Sequence, residues 1–336
     1  MRIFYFCHQD YSPVEIMPEM VAKLQKLSLN FQRKYFVSRL SNYLADLYFH
    51  GCLAQINLQN KESNLPLANN SIKGVDREFY EQLEANNYSQ GHFDPGWLVI
   101  REEEDGSLAV QKNELTFHVQ RDRVGSALPH RHLKPTNIKA TINDLVTIKL
   151  PHNRWQDEFY VAISDQGSID IADNKNKQII EIYFNVNPEG VITLTREFTQ
   201  QLNDLKITFT FKVLDNPNNY PCYDAGILTF FRDDYLVVVE VIKSLYSCIQ
   251  SNLNPETPLC SFKLAPGIGL AEISEVGFAN SRCGAIASGL LAAWDQDDNS
   301  SHNRLQCIIK EFSSKRINCK YPYLNDNFEH IYHQLC

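Results

Sequence analysis

The chain has 336 residues, 43% of them hydrophobic, and a formal net charge of −8. This apolar content is enough to build a core and is not typical of a disordered chain, and the length suits one large or two modest domains. The acidic balance argues against a general nucleic-acid-binding protein, because phosphate backbones favour clustered Lys and Arg. No apolar run approaches the ~20 residues that a membrane-spanning helix needs.

The amino terminus and the cysteines indicate the compartment. The start MRIFYFCHQDYSPVE lacks the basic segment and long apolar run of a signal peptide. Nine cysteines are scattered without any C-x-x-C pair, which fits a reducing compartment better than a disulfide framework or a cysteine-rich zinc site. We therefore expect a cytoplasmic protein.

The first predicted elements are helical. Apolar side chains within residues 18–53 recur at three- and four-residue steps and form one stripe: Tyr35, Phe36, Leu40, Tyr43, Leu44, Leu47 and Tyr48. Residues 57–74 are polar and rich in turn formers, which predicts a surface linker. Asp76 is expected to cap a short helix that runs through Glu84, with Phe79 and Leu83 on its buried side.

From Gly91 onward the apolar period changes to two. GWLVIREEEDGSLAVQKNELTFHVQR predicts strands joined by a hairpin at Asp105-Gly106, and LVTIKL, FYVAIS, EIYFNV, ITFTFKVL and AGILTFF predict more strands. Asn187-Pro188-Glu189 starts a helix that ends near Asn203, and 234–251 and 282–294 are also predicted to be helical. The predicted fold is α+β, a mixed or antiparallel sheet packed with helices. A small helical region, residues 1–88, precedes an α+β domain, residues 89–336.

Two candidate catalytic residues lie on predicted strands. Lys212 follows Phe211 inside an apolar strand, where burying an ammonium is unfavourable unless it is paired or its pKa falls. A lysine with a lowered pKa is a good general base, whereas on an edge strand Lys212 would only face water. His118 lies on an alternating strand and points either into a cleft or into solvent.

Three further segments carry chemistry or a plainer alternative. Lys149 and His152 form either an acid–base pair or the end of a strand beside a proline. His130-x-His132 has the spacing of two metal ligands, but no third ligand is evident and flanking prolines favour a loop, so no metal is predicted. The stretch FKLAPGIGLAE completes neither a phosphate loop nor a dinucleotide fingerprint, which favours a plain turn, although its glycines would let backbone N–H groups approach an anion.

Several segments together resemble a known family: GHFDPGWLVIREEEDGSLAVQK, LTFHVQRDR, VTIKLPHN, EIYFNVNPEG, FKVLDNPNNY, LAPGIGLAE and SRCGAIASGLL. The chain resembles the HopA family, relatives of a type III secreted effector of plant pathogens that also occur in cyanobacteria and other bacteria. The resemblance extends from about residue 88 to the carboxyl end. Its most specific pieces are FKVLDNP, LAPGIGLAE and the segment around Arg282.

The resemblance implies an activity. Some members are the lyase component of class V lanthipeptide pathways, which implies β-elimination of phosphate from phosphoserine or phosphothreonine in a peptide or protein, supplied by a partner kinase. No metal or organic cofactor is required. A lysine takes the α-proton, an acid protonates the leaving phosphate, and cationic donors hold it. On this chain the resemblance implies Lys212 as the base and His118 as the acid, with His152 in reserve. The implied phosphate holders are Arg282, Lys112 and Lys149, and the implied site-shaping residues are Asp224, Gly267 and Gly269.

The chain also departs from the family pattern. Glu181 and Cys222 stand where relatives tend to have arginine, and Lys263 is displaced by one position. Two lost cations would weaken phosphate binding, because each charge-assisted hydrogen bond contributes ~1.5–3 kcal/mol. The alternative is therefore a catalytically degenerate module that binds a peptide or protein. Type III secretion is expected only if the genomic context supports it.

Overall fold

The computed structural model describes residues 18–51, 75–121, 132–156, 158–169, 177–273, 276–298, 300–326 and 329–335. The predicted linker at 57–74 lies outside these residues. None of the described helices is both long and apolar enough to cross a membrane.

The chain begins with helices, as predicted. Helices α1 and α2 span Pro18–Gln25 and Leu29–Leu44, and α2 continues into a π-helical turn, Ala45–Phe49. Helix α3, Arg77–Ala85, starts where Asp76 accepts a hydrogen bond from the backbone N–H of Phe79 at 2.9 Å. The predicted cap is thus confirmed, because the carboxylate satisfies a backbone donor that the first turn leaves unpaired.

A small antiparallel sheet follows, with strand order β3-β2-β1-β4. The Asp105 carboxylate accepts from the backbone N–H of Ser107 at 2.9 Å and closes the predicted β1–β2 hairpin. One face of the sheet builds its own core from Trp97, Val99, Leu108, Val110, Val119, Leu133, Ala140, Val146 and Ile148. The strands are β1 Phe93–Glu102, β2 Leu108–Lys112, β3 Leu115–Val119 and β4 Leu145–Lys149.

A larger sheet of seven strands forms the centre of the molecule, in the order β10-β11-β7-β9-β8-β6-β5. Every neighbouring pair is antiparallel, which confirms the antiparallel form of the prediction. The strands are β5 Asn153–Gln156, β6 Phe159–Ile163, β7 Ile179–Phe184, β8 Phe209–Leu214, β9 Gly226–Phe231, β10 Phe262–Ala265 and β11 Ile268–Ile273.

Helices cover both faces of this sheet. On one face lies α4, Pro188–Asp204, whose Phe198 ring contacts those of Phe184 and Phe211 with centroids 5.6 and 5.1 Å apart. The predicted Asn187 cap is present, since its side chain accepts from the backbone N–H of Gly190 at 2.8 Å. Helix α5, Tyr235–Ile249, contacts α4.

The other face carries α6, Phe278–Asp295, which packs against α2 and against α7, Ser301–Ser314. Helix α7 is not predicted from the sequence. Tyr183 lies next to Phe184 and so points to this opposite face, because successive side chains of a strand alternate. Buried residues of the amino-terminal helices, among them Leu44 and Phe49, join the same core as the sheet. The described part of the helical region therefore shares its core with the large sheet.

Candidate functional site

Lys212 lies in the interior of the large sheet. Its strand, β8, runs between β6 and β9, and Lys212 is in register with Val161 and Ile227. The alternative that it sits on an edge strand is therefore excluded. The side chain is half-buried, and no hydrogen bond or ion pair of the described residues involves its ammonium. A half-buried ammonium without a partner inside a sheet makes Lys212 a candidate for a chemical role.

Glu181 and Tyr183 of β7 share the face of Lys212. Ile227 is in register with both Lys212 and Tyr183, so the latter two lie about 10 Å apart across two strand spacings. The Tyr183 hydroxyl donates to Oε2 of Glu181 at 2.7 Å. Burial raises the pKa of the Glu181 carboxyl; Tyr183 and Lys212 lower it by less, and Asp224 raises it further. Burial and the Glu181 charge likewise hold the pKa of Tyr183 well above its usual range.

His50 and Asp224 form an ion pair near Glu181, whose carboxyl is affected by the Asp224 charge. His50 Nδ1 lies 2.7 Å from Oδ2 of Asp224, whose side chain is only 8% exposed. Burial alone would lower the pKa of His50, but the hydrogen bond to Asp224 and the charges of Asp224 and Asp46 outweigh it and raise the pKa. The imidazole is therefore held in its protonated form beyond its usual range.

The chain brings His50 to the sheet by a specific backbone contact. His50 directly follows the π-helical turn, and its carbonyl accepts from the backbone N–H of Tyr223 at 2.7 Å. Gly51 has φ +67°, and a Cβ there would lie 2.5 Å from the Tyr223 ring. Only glycine fits this close approach, because it alone tolerates both the positive φ and the missing space.

Aromatic rings and Arg282 close the site from the helical side. The Phe49 ring meets that of Tyr183 edge-on at 5.3 Å, and Phe278 adds a second ring. Arg282 is 3% exposed, lies over the Phe278 ring at 4.7 Å, and donates to the carbonyl oxygens of Pro322 at 2.8 Å and Leu324 at 2.7 Å. Arg282 thus lies near the predicted site, but its guanidinium anchors the carboxyl-terminal segment.

The predicted acid His118 and the predicted phosphate holders Lys112 and Lys149 lie on the small sheet, not on the sheet of Lys212. His118 is on the edge strand β3, 59% exposed, with Nδ1 3.3 Å from Glu103. Lys112 pairs with Asp94 at 2.8 Å. Lys149 ends β4. These residues therefore need partners other than Lys212, and their predicted roles stay predictions.

The reserve acid His152 belongs to a different network. Its Nε2 lies 2.9 Å from Oε1 of Glu84, which also accepts from Tyr160 at 2.9 Å and from Asn153. The hydrogen bond from His152 is the largest effect that lowers the pKa of Glu84. This network joins α3 to β6 at the junction of the two sheets.

Two glycines at the hairpin of β10 and β11, Gly267 and Gly269, lie where the packing leaves no space for a Cβ atom. Pro266 and Gly267 make the turn, with Gly267 at φ +77° and a hypothetical Cβ only 2.3 Å from the carbonyl oxygen of Asn254. At Gly269 a Cβ would lie 2.6 Å from the Ser261 hydroxyl. The segment is a tight hairpin, as the motif comparison favoured.

The cysteine and histidine expectations have different outcomes. Cys222 is disulfide-bonded, so the expectation of unpaired cysteines is wrong at this position, whereas five described cysteines are free. His130 lies outside the described residues, and His132 Nδ1 accepts from the backbone N–H of Gln120 at 3.1 Å. In the part of the chain that the structure describes, no group of three His, Cys, Asp or Glu side chains could hold a metal ion.

Comparison with known proteins assigns the chain to a family. The model of the HopA1 effector protein family matches residues 150–324, more than half of the chain. The chain belongs to this family. The matched range contains Lys212, Glu181, Tyr183, Asp224 and Arg282, whereas His50 and His118 lie before it.

Solved effector structures give a weaker likeness to this HopA1-family protein. One from Pseudomonas syringae pv. tomato strain DC3000 is 17% identical, with TM-score 0.43, covering 74% of this chain and 81% of that one. One from Pseudomonas syringae pv. syringae strain 61 is 13% identical, with TM-score 0.44, covering 88% of this chain and 98% of that one. No curated protein matches the chain.

No local pattern in the sequence links His50 to the sheet that carries Lys212. His50 follows an apolar helix and precedes a glycine, a pattern that also occurs at ordinary helix ends. Its partner Asp224 is 174 positions away. Tyr183 was equally inconspicuous, because a tyrosine in an apolar strand is usually a core residue.

Proposed function

We propose that this protein is a phosphoserine or phosphothreonine lyase that acts by β-elimination on a peptide or protein, with Lys212 as the base. The observation that carries the proposal is the half-buried Lys212 ammonium without a hydrogen bond, on the same sheet face as Glu181 and Tyr183. Family membership agrees with this reading but does not by itself assign a reaction.

The reaction needs a base and an acid. Lys212 Nζ takes the α-proton, the C–H electron pair becomes the Cα=Cβ double bond, and the bond from Cβ to the phosphate oxygen breaks. The leaving phosphate takes a proton from His50, which we assign as the acid in place of His118. The Asp224 carboxylate suits His50 to this role because it keeps the imidazole protonated. The products are a dehydroamino acid and inorganic phosphate.

Glu181 occupies a position where relatives tend to have arginine, so its charge matters for phosphate binding. A carboxylate there would repel a phosphate dianion, but burial raises the pKa of Glu181 and so favours the neutral carboxyl. A neutral carboxyl can donate a hydrogen bond to a phosphate oxygen. Where Glu181 is protonated, phosphate at this site meets less negative charge than the sequence implies.

A second candidate is the degenerate binding module. It is favoured by Arg282, whose Nε and Nη2 already donate to backbone carbonyls, and by the absence of arginine at Glu181 and Cys222. In this case the protein binds a phosphorylated segment without turnover.

The deciding experiment incubates the protein with phosphoserine and phosphothreonine peptides and follows peptide mass and free phosphate. The lyase proposal expects loss of phosphoric acid with wild type, none with Lys212→Ala, and wild-type activity with Lys243→Ala, an exposed lysine on α5. His50→Gln should retain substrate binding and lose most turnover. Unchanged peptides with wild type, together with measurable binding, would support the second candidate; turnover by Lys212→Ala would refute the assignment of the base.

A further inference from the structure

A polar cleft lies between α2 and α6, apart from the Lys212 site. Its volume is about 390 Å³, within the range of small-molecule sites. Positions 280, 284 and 288 of α6 line it, whereas Arg282 of the same helix anchors the carboxyl-terminal segment. Residues 282 and 284 point in nearly opposite directions, because each helical residue turns by about 100°. The lining consists of Arg33, Lys34, Val37, Ser38, Ser41, Asn42, Asn280, Gly284 and Ser288.

The floor of the cleft carries one polar side chain that lacks a partner within the described residues, Ser41. Ser41 is 7% exposed, and its hydroxyl makes no hydrogen bond within the described residues. The side chains of Ser38 and Asn42, on the same helix and also in the lining, are exposed and make no hydrogen bond within the described residues. Buried hydroxyls are normally hydrogen-bonded. The Ser41 hydroxyl at the bottom of the cleft and the exposed side chains of Ser38 and Asn42 are therefore available to a ligand.

The rim of the cleft is cationic. Lys34 makes no ion pair within the part of the chain that the structure describes, and its Nζ lies only loosely over the Phe31 ring at 5.9 Å. Arg33 pairs with Asp295 through Nη1, which holds it at the rim and leaves further donors of its fork. With Asp295 counted, Lys34 and Arg33 leave one net positive charge among these three residues.

We propose that this cleft binds a small phosphate monoester that carries hydroxyl groups. Lys34 and Arg33 contact the phosphate, because ammonium and guanidinium donors suit tetrahedral oxyanions. Ser38, Ser41 and Asn42 donate to the rest of the ligand. The volume exceeds that of a phosphate ion, so an organic portion fits as well. The site is independent of the proposed lyase chemistry.

Gly284 offers a way to block the cleft without disturbing the fold. A Cβ at this position meets only the Ser41 hydroxyl, at an ordinary 3.7 Å, and the backbone is helical. Gly284→Leu therefore fills the cleft with its side chain. Ser41→Ala removes one buried donor and leaves the volume almost unchanged.

The test measures binding by isothermal titration calorimetry with glucose 6-phosphate, inorganic phosphate and glucose. We expect glucose 6-phosphate to bind most tightly, inorganic phosphate more weakly and glucose not at all. Lys34→Gln should weaken glucose 6-phosphate binding about tenfold or more, since one charge-assisted contact is lost. Gly284→Leu should abolish binding and Ser41→Ala should weaken it. Lys23→Gln, which removes an exposed charge on α1, and Lys212→Ala should both bind as wild type.

Other results would overturn the proposed binding site. Wild-type binding by Gly284→Leu, or equal binding by the Lys34 and Lys23 variants, would overturn the location. Glucose bound as tightly as its phosphate would overturn the role of the cations. Equal affinity for inorganic phosphate would overturn the monoester assignment. Circular dichroism of each variant separates loss of binding from loss of fold.

Discussion

Replacing Arg282 by methionine tests whether this residue is a structural anchor. Arg282 is 3% exposed and donates to the carbonyl oxygens of Pro322 and Leu324. Methionine fills similar space but leaves both carbonyls without these donors. Because each charge-assisted hydrogen bond contributes ~1.5–3 kcal/mol, we expect the free energy of unfolding to fall by about 3–6 kcal/mol. Loss of the contact with the Phe278 ring would add to this.

The assay is urea unfolding followed by tryptophan fluorescence and circular dichroism. Arg77→Met is the matched control, since Arg77 is 66% exposed and, among the residues that the structure describes, pairs only with Glu81 on the same helix. Such a pair contributes about 0.2–0.5 kcal/mol. A loss below ~1 kcal/mol in Arg282→Met would refute the anchoring role, because it would be smaller than one charge-assisted bond. Retained stability with lost phosphopeptide binding would instead restore Arg282 as a phosphate holder.

Three further predictions concern titration and packing. The pKa of the His50 imidazole, measured by NMR, should lie above 6.5, so the stability that the group contributes is present below pH 6.5 and is lost as pH rises through the folded pKa. Asp224→Asn should lower that pKa, and an unchanged value would contradict the pairing of His50 with Asp224. Burial raises the folded pKa of Glu181 above 4.5, so this residue should destabilise the folded protein as pH rises from that value through the folded pKa. In urea unfolding, Glu181→Gln should therefore stabilise the protein more at neutral than at acidic pH, and a pH-independent difference would refute this. Gly284→Ala should stabilise the protein by about 0.5–1 kcal/mol, whereas Gly289→Ala on the same helix, whose Cβ would lie 2.6 Å from the α7 backbone, should destabilise it by about 1–3 kcal/mol. Equal melting temperatures for the two variants would contradict the difference in space at Gly284 and Gly289.

Local patterns in the sequence determined the elements. The Asp76 and Asn187 caps, the Asp105-Gly106 hairpin and the change of apolar period near Gly91 all appear in the structure where they were predicted. These signals act within a few residues, because a cap or a tight turn satisfies backbone groups next to it in the chain. Helix α7 was not predicted, although Ser300 caps it by accepting from the backbone N–H of Asn303.

Which side chains meet was decided by the tertiary structure. Lys212 and His118 both lie on predicted strands, but the strands belong to different sheets, and no local pattern assigns strands to sheets. The resemblance implied a phosphate holder at Arg282, and only the structure shows that its Nε and Nη2 donate to carbonyl oxygens of the carboxyl-terminal segment. His50 reaches Asp224 only because the π-helical turn and Gly51 place its backbone against Tyr223. Such pairings depend on strand order and helix docking, which bring together residues far apart in the sequence through contacts that neither partner's local sequence records.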